Sequence, residues 1–188
     1  SQTYEQPTLW RQILEQLDDA AAKGVPLLAQ AAGRAIGILM HWRGSAHPFL
    51  VYPAYWSLVG GLESWAEKRA ALQDPAVRAQ ILADEPIDAG PFANFIATGF
   101  DKMYLCPAGV DYEPSAEQSV AATAARLGIS SQEVAYDALC ASEGEGFLYF
   151  PLFNYADGDL QVLHALHGHP SIRMGLSDGG AHCGAIAD

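Results

Sequence analysis

Ile172-Arg173-Met174-Gly175-Leu176-Ser177-Asp178-Gly179-Gly180-Ala181-His182 joins a short apolar run to a cluster of small and polar residues. The first five residues have strand length, and the rest read as the loop at the strand's carboxyl end. In α/β folds catalytic groups collect in such loops, because the sheet fixes their position while the loop exposes them. Gly179 and Gly180 would let the backbone come close to a metal or substrate and leave Asp178 presented at the strand tip. From spacing alone, an ordinary Ser-Asp-Gly-Gly turn without chemistry stands beside that reading.

Working outward, Trp10, Ile13, Leu14 and Leu17 recur at helical spacing and predict an amphipathic helix from about Leu9 to Lys23, closed by Gly24. Val25-Pro26-Leu27-Leu28-Ala29 follows as a continuous apolar run of strand length. The order helix, Gly, buried strand is that of an α/β repeat with a parallel sheet. From Arg34 to about Phe100 the pattern turns irregular and reads as an insertion, with short helices at 62–72 and 75–83, the second capped by Asp74 with Pro75 at its first position. Ser115 with Gln118, and Ser130 with Glu133, form Ser-x-x-Gln/Glu capping boxes that start two helices separated by Gly128. Phe147 to Phe150 reads as a buried strand whose ladder Pro151 is expected to end. A short helix around 160–166 precedes the run at Ile172.

The chain has 188 residues, half of them apolar and 17% charged, which fits a folded chain and argues against disorder. Ten Lys and Arg against 22 Asp and Glu give a net charge of −12, which repels phosphate backbones and anionic membranes, so neither nucleic acid nor membrane is expected as a partner. Cys106, Cys140 and Cys183 lie far apart without C-x-x-C spacing, which predicts no disulfide framework or cysteine zinc site and places the protein in a reducing, cytoplasmic compartment.

The glycine-rich loop also satisfies G-x-S-x-G, the nucleophile elbow of α/β hydrolases, with Ser177 as nucleophile. That motif needs an acid and then a histidine well downstream, whereas only His182 and Asp188 follow here. The segment Met174 to His182 resembles the final barrel-strand motif of the N-acyl-D-amino-acid deacylases (D-aminoacylases) of the amidohydrolase superfamily. Gln30-Ala31-Ala32-Gly33-Arg34-Ala35-Ile36-Gly37-Ile38-Leu39, His47-Pro48-Phe49, Asp74-Pro75-Ala76-Val77-Arg78 and Asp111-Tyr112-Glu113-Pro114 occur in the order those proteins show. Ala35 stands where they commonly carry Pro.

The resemblance implies an α/β fold: part of a metal-dependent (β/α)8 TIM-like barrel with an inserted irregular and helical region at about 35–110. It implies one or two zinc ions and hydrolysis of the amide of an N-acyl-D-amino acid. Asp178 would contact the metal and act as general base. Of the family's other metal ligands, a His-x-His pair on the first strand, a bridging residue and two single histidines, the chain has no His-x-His near its start and no candidate strand ending in His before Asp178. A barrel of this kind takes about 250 residues, so the chain is expected to be a carboxyl-proximal fragment, inactive alone, whose partner is the remainder of its own barrel.

Arg34, just beyond the first strand, is positioned to clamp a substrate carboxylate, and His182 to orient substrate or the aspartate. His164, His167 and His169 form H-x-x-H-x-H, but lie before the last strand, on the side where barrels keep stability and not catalysis. His41, His47, Trp42, Phe49, Tyr52, Tyr55 and Trp56 crowd the insertion and read as its packing, with an aromatic lid as the alternative. Asn154 and Tyr155 follow a strand and are not assigned a role, and Cys183 reads as a small filler. A serine hydrolase using Ser177 and a non-catalytic acidic interaction module are the competing functions.

Overall fold

The protein is described here from a computed structural model covering residues 1–107, 109–177, 179–182 and 184–187, with the side chains of 181 and 182 left out. It is a mixed α/β chain organised around two sheets. Helix α1 (Leu9–Ala22) buries Trp10 and Leu17. Gly24, at φ 72°, turns the chain out of it, and the Gly24 and Val25 amides donate to the Ala21 and Ala20 carbonyls.

The expected strand at Val25 to Ala29 forms four residues later, as β1 (Ala29–Ala32). Val25 has spent its amide on the helix end, Pro26 has none, and the ladder opens only where the Ala29 amide donates to Ser171 at 2.9 Å. Val25, Leu27 and Leu28 are consequently half-exposed.

After β1 the chain enters an excursion that returns only at residue 153. It begins with β2 (Ile36–Met40), where the sequence reads as irregular. A 3-10 turn at Pro48–Val51 leads to α2 (Pro53–Tyr55), a π-helical turn at Trp56–Gly60, α3 (Trp65–Gln73), α4 (Pro75–Leu82) and α5 (Pro91–Thr98). Asp74 caps α4 as expected, its carboxylate accepting from the Ala76 amide at 2.8 Å. Then come β3 (Tyr104–Leu105), α6 (Val120–Leu127), α7 (Ser131–Gly144) and β4 (Leu148–Phe153).

Both expected capping boxes are present. The one at Ser115 starts only a 3-10 turn, and Ser119 caps α6 a turn later. Gly128 ends α6 in the left-handed region at φ 71°. The regular part of α7 ends before Ala141, where the backbone leaves helical geometry.

Pro151 does not end its strand. β4 continues to Phe153 because Pro151 pairs with Gly37 where the register shifts, so the missing donor falls at an irregularity of the ladder. Gly37 is required there: a Cβ would lie 2.5 Å from the Tyr149 ring and 2.8 Å from the Phe150 carbonyl.

Helix α8 (Gln161–His167) and β5 (Ile172–Gly175) follow, then a hairpin of β6 (Gly180–His182) and β7 (Ala185–Ala187). β1 and β5 pair in parallel, Ala29 with Ile172 through Ala32 with Gly175. Their helical layer is a small core in which Trp10 of α1 meets Val162, Leu163 and Leu166 of α8. Among the described residues no third strand joins this pair.

The remaining strands form an antiparallel sheet in the order β3-β4-β2-β7-β6, covered by the larger core, in which Met40, Phe49, Tyr136, Leu148 and Phe150 are fully or almost fully buried. The entry and exit of the excursion, Ile36 and Phe153, are paired neighbours. Gln2 locks the exit: its amide donates to the Asn154 side-chain oxygen and its carbonyl accepts from the Asn154 amide, both at 2.9 Å.

Candidate functional site

Pairing β1 with β5 brings two loops together at their shared carboxyl ends. Gly33, Arg34 and Ser177 line one open cavity of about 310 Å³. The Met174 side chain lies alongside Gly33, its sulfur 3.4 Å from where a Cβ would be. Residues 143 positions apart in sequence, Arg34 and Ser177, thus share one surface because the two short strands are in register.

Arg34 is half-buried and its guanidinium stacks over the Tyr112 ring, 4.7 Å from the centroid. The aromatic face beneath it fixes the plane in which the guanidinium lies. Tyr112 packs edge-on to Tyr149 at 5.8 Å, and the buried Tyr149 hydroxyl has no hydrogen-bond partner among the described residues. Burial, then the neighbouring Tyr112, push the Tyr149 phenol well above its ordinary range, while Arg34 pulls the other way. Tyr149 is therefore a neutral, buried phenol close to the arginine, which the sequence does not single out. Its only sequence signal is an aromatic in the middle of an apolar strand.

Asp178, expected as metal contact and general base, lies outside the described residues, as does Cys183. The backbone of His182 is placed in β6, opposite Ala185. The run from Met174 to His182 therefore starts in the parallel pair and ends in the antiparallel sheet, with Ser177 at the crossing. Because Ser177 is followed by a strand, it lacks the strand–turn–helix setting that a nucleophile elbow requires.

The H-x-x-H-x-H histidines have three separate destinations. The ring Nε2 of His167 bonds the Ala32 carbonyl at 2.8 Å, Nε2 of His169 bonds the Asp18 carboxylate at 3.0 Å, and His164 is exposed. Among the described residues no three His, Cys, Asp or Glu side chains converge as a metal site. Cys106 and Cys140 are free, and burial pushes each thiol up to about 11, which leaves them unreactive near neutrality. Tyr155 donates its hydroxyl to the Pro114 carbonyl at 2.9 Å, and Asn154 serves Gln2, so neither faces the cavity's chemistry.

His41 and His47 pack in the insertion. His47 is fully buried, edge-on to Trp42 at 4.9 Å and Tyr55 at 4.8 Å, with both ring nitrogens lacking partners among the described residues. Burial, with a smaller push from His41, lowers its pKa to about 3, so it is a neutral imidazole in the core. No helix of the described residues is long and apolar enough to cross a membrane. No protein-family model, curated protein or solved structure matches the chain.

Proposed function

We propose that the chain is the carboxyl-proximal segment of a metal-dependent amidohydrolase barrel that hydrolyses the amide of an N-acyl amino acid, the D-enantiomer being the substrate that the motif resemblance implies. The observation that supports it best is the parallel pairing of β1 and β5 under the helices α1 and α8, with Arg34 and Ser177 at their common carboxyl end. Parallel strands are ordinarily covered on both faces, and Met174 and Leu176, 70% and 97% exposed, are apolar surface of the kind that further strands would cover. The insertion expected at about 35–110 is part of a longer excursion, Ile36 to Phe153, that leaves and rejoins beside the parallel pair.

In that barrel Asp178 stands where β5 delivers its loop. A zinc ion held mainly by residues from the other strands would supply Lewis acidity and an acidic bound water. Asp178 would take the proton released at the attacking oxygen and hand it to the leaving amine nitrogen. Arg34 would hold the substrate carboxylate in the plane of its guanidinium, and His182 would orient the substrate or the aspartate.

The test is Asp178→Asn in the intact gene product, assayed for hydrolysis of N-acyl-D-amino acids together with zinc content. Loss of turnover by about a thousandfold or more, with the fold retained, is expected. Near wild-type turnover would remove Asp178 from the chemistry. Chelator-resistant activity with fluorophosphonate labelling lost in Ser177→Ala would move the protein to the serine hydrolases. A metal-free intact protein at any zinc supply would make it an interaction module.

A further inference from the structure

A second cleft, of about 500 Å³, lies in the insertion, walled by the rings of Trp42, Tyr55, Trp56 and Trp65. Trp56 is 53% exposed yet held in place from three sides. Its indole N–H donates to the Leu50 carbonyl at 2.7 Å, its ring packs edge-on to Tyr55 at 5.6 Å, and its six-membered ring fills the place where a Cβ of Gly60 would be. The π-helical turn Trp56–Gly60 sets this geometry by placing Trp56 and Gly60 at its two ends, and such turns are uncommon and frequently occur at functional sites.

An exposed indole gains little stability from being fixed in this way, whereas a flat platform of fixed orientation is what a planar ligand needs for stacking. The charges on the rim select among planar ligands. Arg43 and Lys68 face the cleft against one carboxylate, Glu63. Arg43 also reaches Glu145 at 3.4 Å, whereas Lys68, half-buried, makes no ion pair among the described residues. The two cations are matched in number by Glu63 and Glu145, and Lys68 is the one without an ion pair among the described residues, which leaves its ammonium to meet an anionic group at the cleft.

We propose that this cleft binds a small planar aromatic carboxylate, the ring stacked on Trp56 and the carboxylate on Lys68. Recognition uses residues of this chain alone and does not depend on a metal or on the amide-hydrolysis reading. Isothermal titration of the chain with 2-naphthoate tests it, with 2-naphthamide as the uncharged ring and cyclohexanecarboxylate as the charge without an aromatic face. Saturable binding of 2-naphthoate at or below millimolar concentration is expected, about threefold or more tighter than the amide and the cyclohexane acid.

Trp56→Ala and Lys68→Gln should each weaken it by about threefold or more. Gly60→Ala should do the same with every aromatic retained, because the new methyl displaces the indole; circular dichroism checks that each variant is folded. Absence of saturable binding, equal binding of cyclohexanecarboxylate, or folded Trp56→Ala and Gly60→Ala variants that bind within threefold of the parent would overturn the proposal.

Discussion

The backbone amide of Ser45 donates to the Gly184 carbonyl at 3.0 Å, tying the loop after β2 to the turn of the β6–β7 hairpin. The hairpin whose first strand is the end of the Gly-Leu-Ser-Asp-Gly-Gly-Ala-His run is thus anchored on the insertion, with β7 also paired to β2 through Ile38 and Leu39.

Gly184 sits at φ 81°, and a Cβ there would come within 3.2 Å of the Ser45 amide. Gly184→Ala should therefore cost about 1–2 kcal/mol from the left-handed backbone alone. Amide exchange should speed at Ser45 and along β7 before the rest of the sheet. Unchanged exchange at Ser45 would mean that the turn is not held by this contact.

The buried His47 makes stability depend on pH. Its folded pKa, about 3, lies below the ordinary 6.5, so only the unfolded chain takes up the proton between those values. The full contribution is present above pH 6.5 and falls as pH drops toward 3, by about 1.4 kcal/mol per unit. From pH 7 to pH 5 denaturant titration should show a loss of about 2 kcal/mol from this group. His41, whose pKa is also lowered, chiefly by burial, adds in the same direction. His47→Leu should flatten the dependence, since it removes the titration and two unpartnered nitrogens together.

Gly37→Ala should be among the most damaging small substitutions in the chain. The added methyl meets the buried Tyr149 ring and the Phe150 and Pro151 backbone, which cannot move aside without opening the β2–β4 ladder. A loss of about 3 kcal/mol or more is expected by thermal or urea unfolding. The Ser130 cap gives a smaller reference value. Its hydroxyl oxygen accepts from the Glu133 amide at 3.1 Å, and Ser130→Ala should cost about 1 kcal/mol.

Under the proposed amide hydrolysis, Arg34→Lys in the intact gene product should raise KM for an N-acyl-D-amino acid about tenfold with little change in kcat. A lysine keeps the charge but loses both the stacked plane over Tyr112 and the bidentate fork. An equal loss in kcat would place Arg34 in the chemical step instead of in substrate binding.

Local signals in the sequence were reliable where short-range chemistry decides the outcome. Asp74 with Pro75, Ser130 with Glu133, and Gly128 each mark a helix end that is formed as expected. The capping box at Ser64 and Glu67 starts α3 at Trp65, about three residues after the start that hydrophobic spacing predicts. The parallel pair was legible because Val25 to Ala29 and Ile172 to Leu176 both stand beside helical patterns. The exact ladder was not, because the amide of Val25 is taken by the end of α1. β2 was hidden by Gly37, a poor strand former that is retained because Tyr149, 112 residues further on, occupies the space beside it. Long separations in sequence likewise hide Tyr149 and Tyr112 as neighbours of Arg34, which lies just past β1.

Ile36 and Phe153 leave the antiparallel sheet as adjacent partners, so the whole excursion is attached to β1 and α8 by two ends that nearly touch. A module joined in this way imposes almost no spacing on what carries it. Its replacement by a short turn would spare the β1–β5 ladder but would strip the β6–β7 hairpin of its partner β2 and of the Ser45 contact, so the hairpin takes its position from the module and not from the parallel pair.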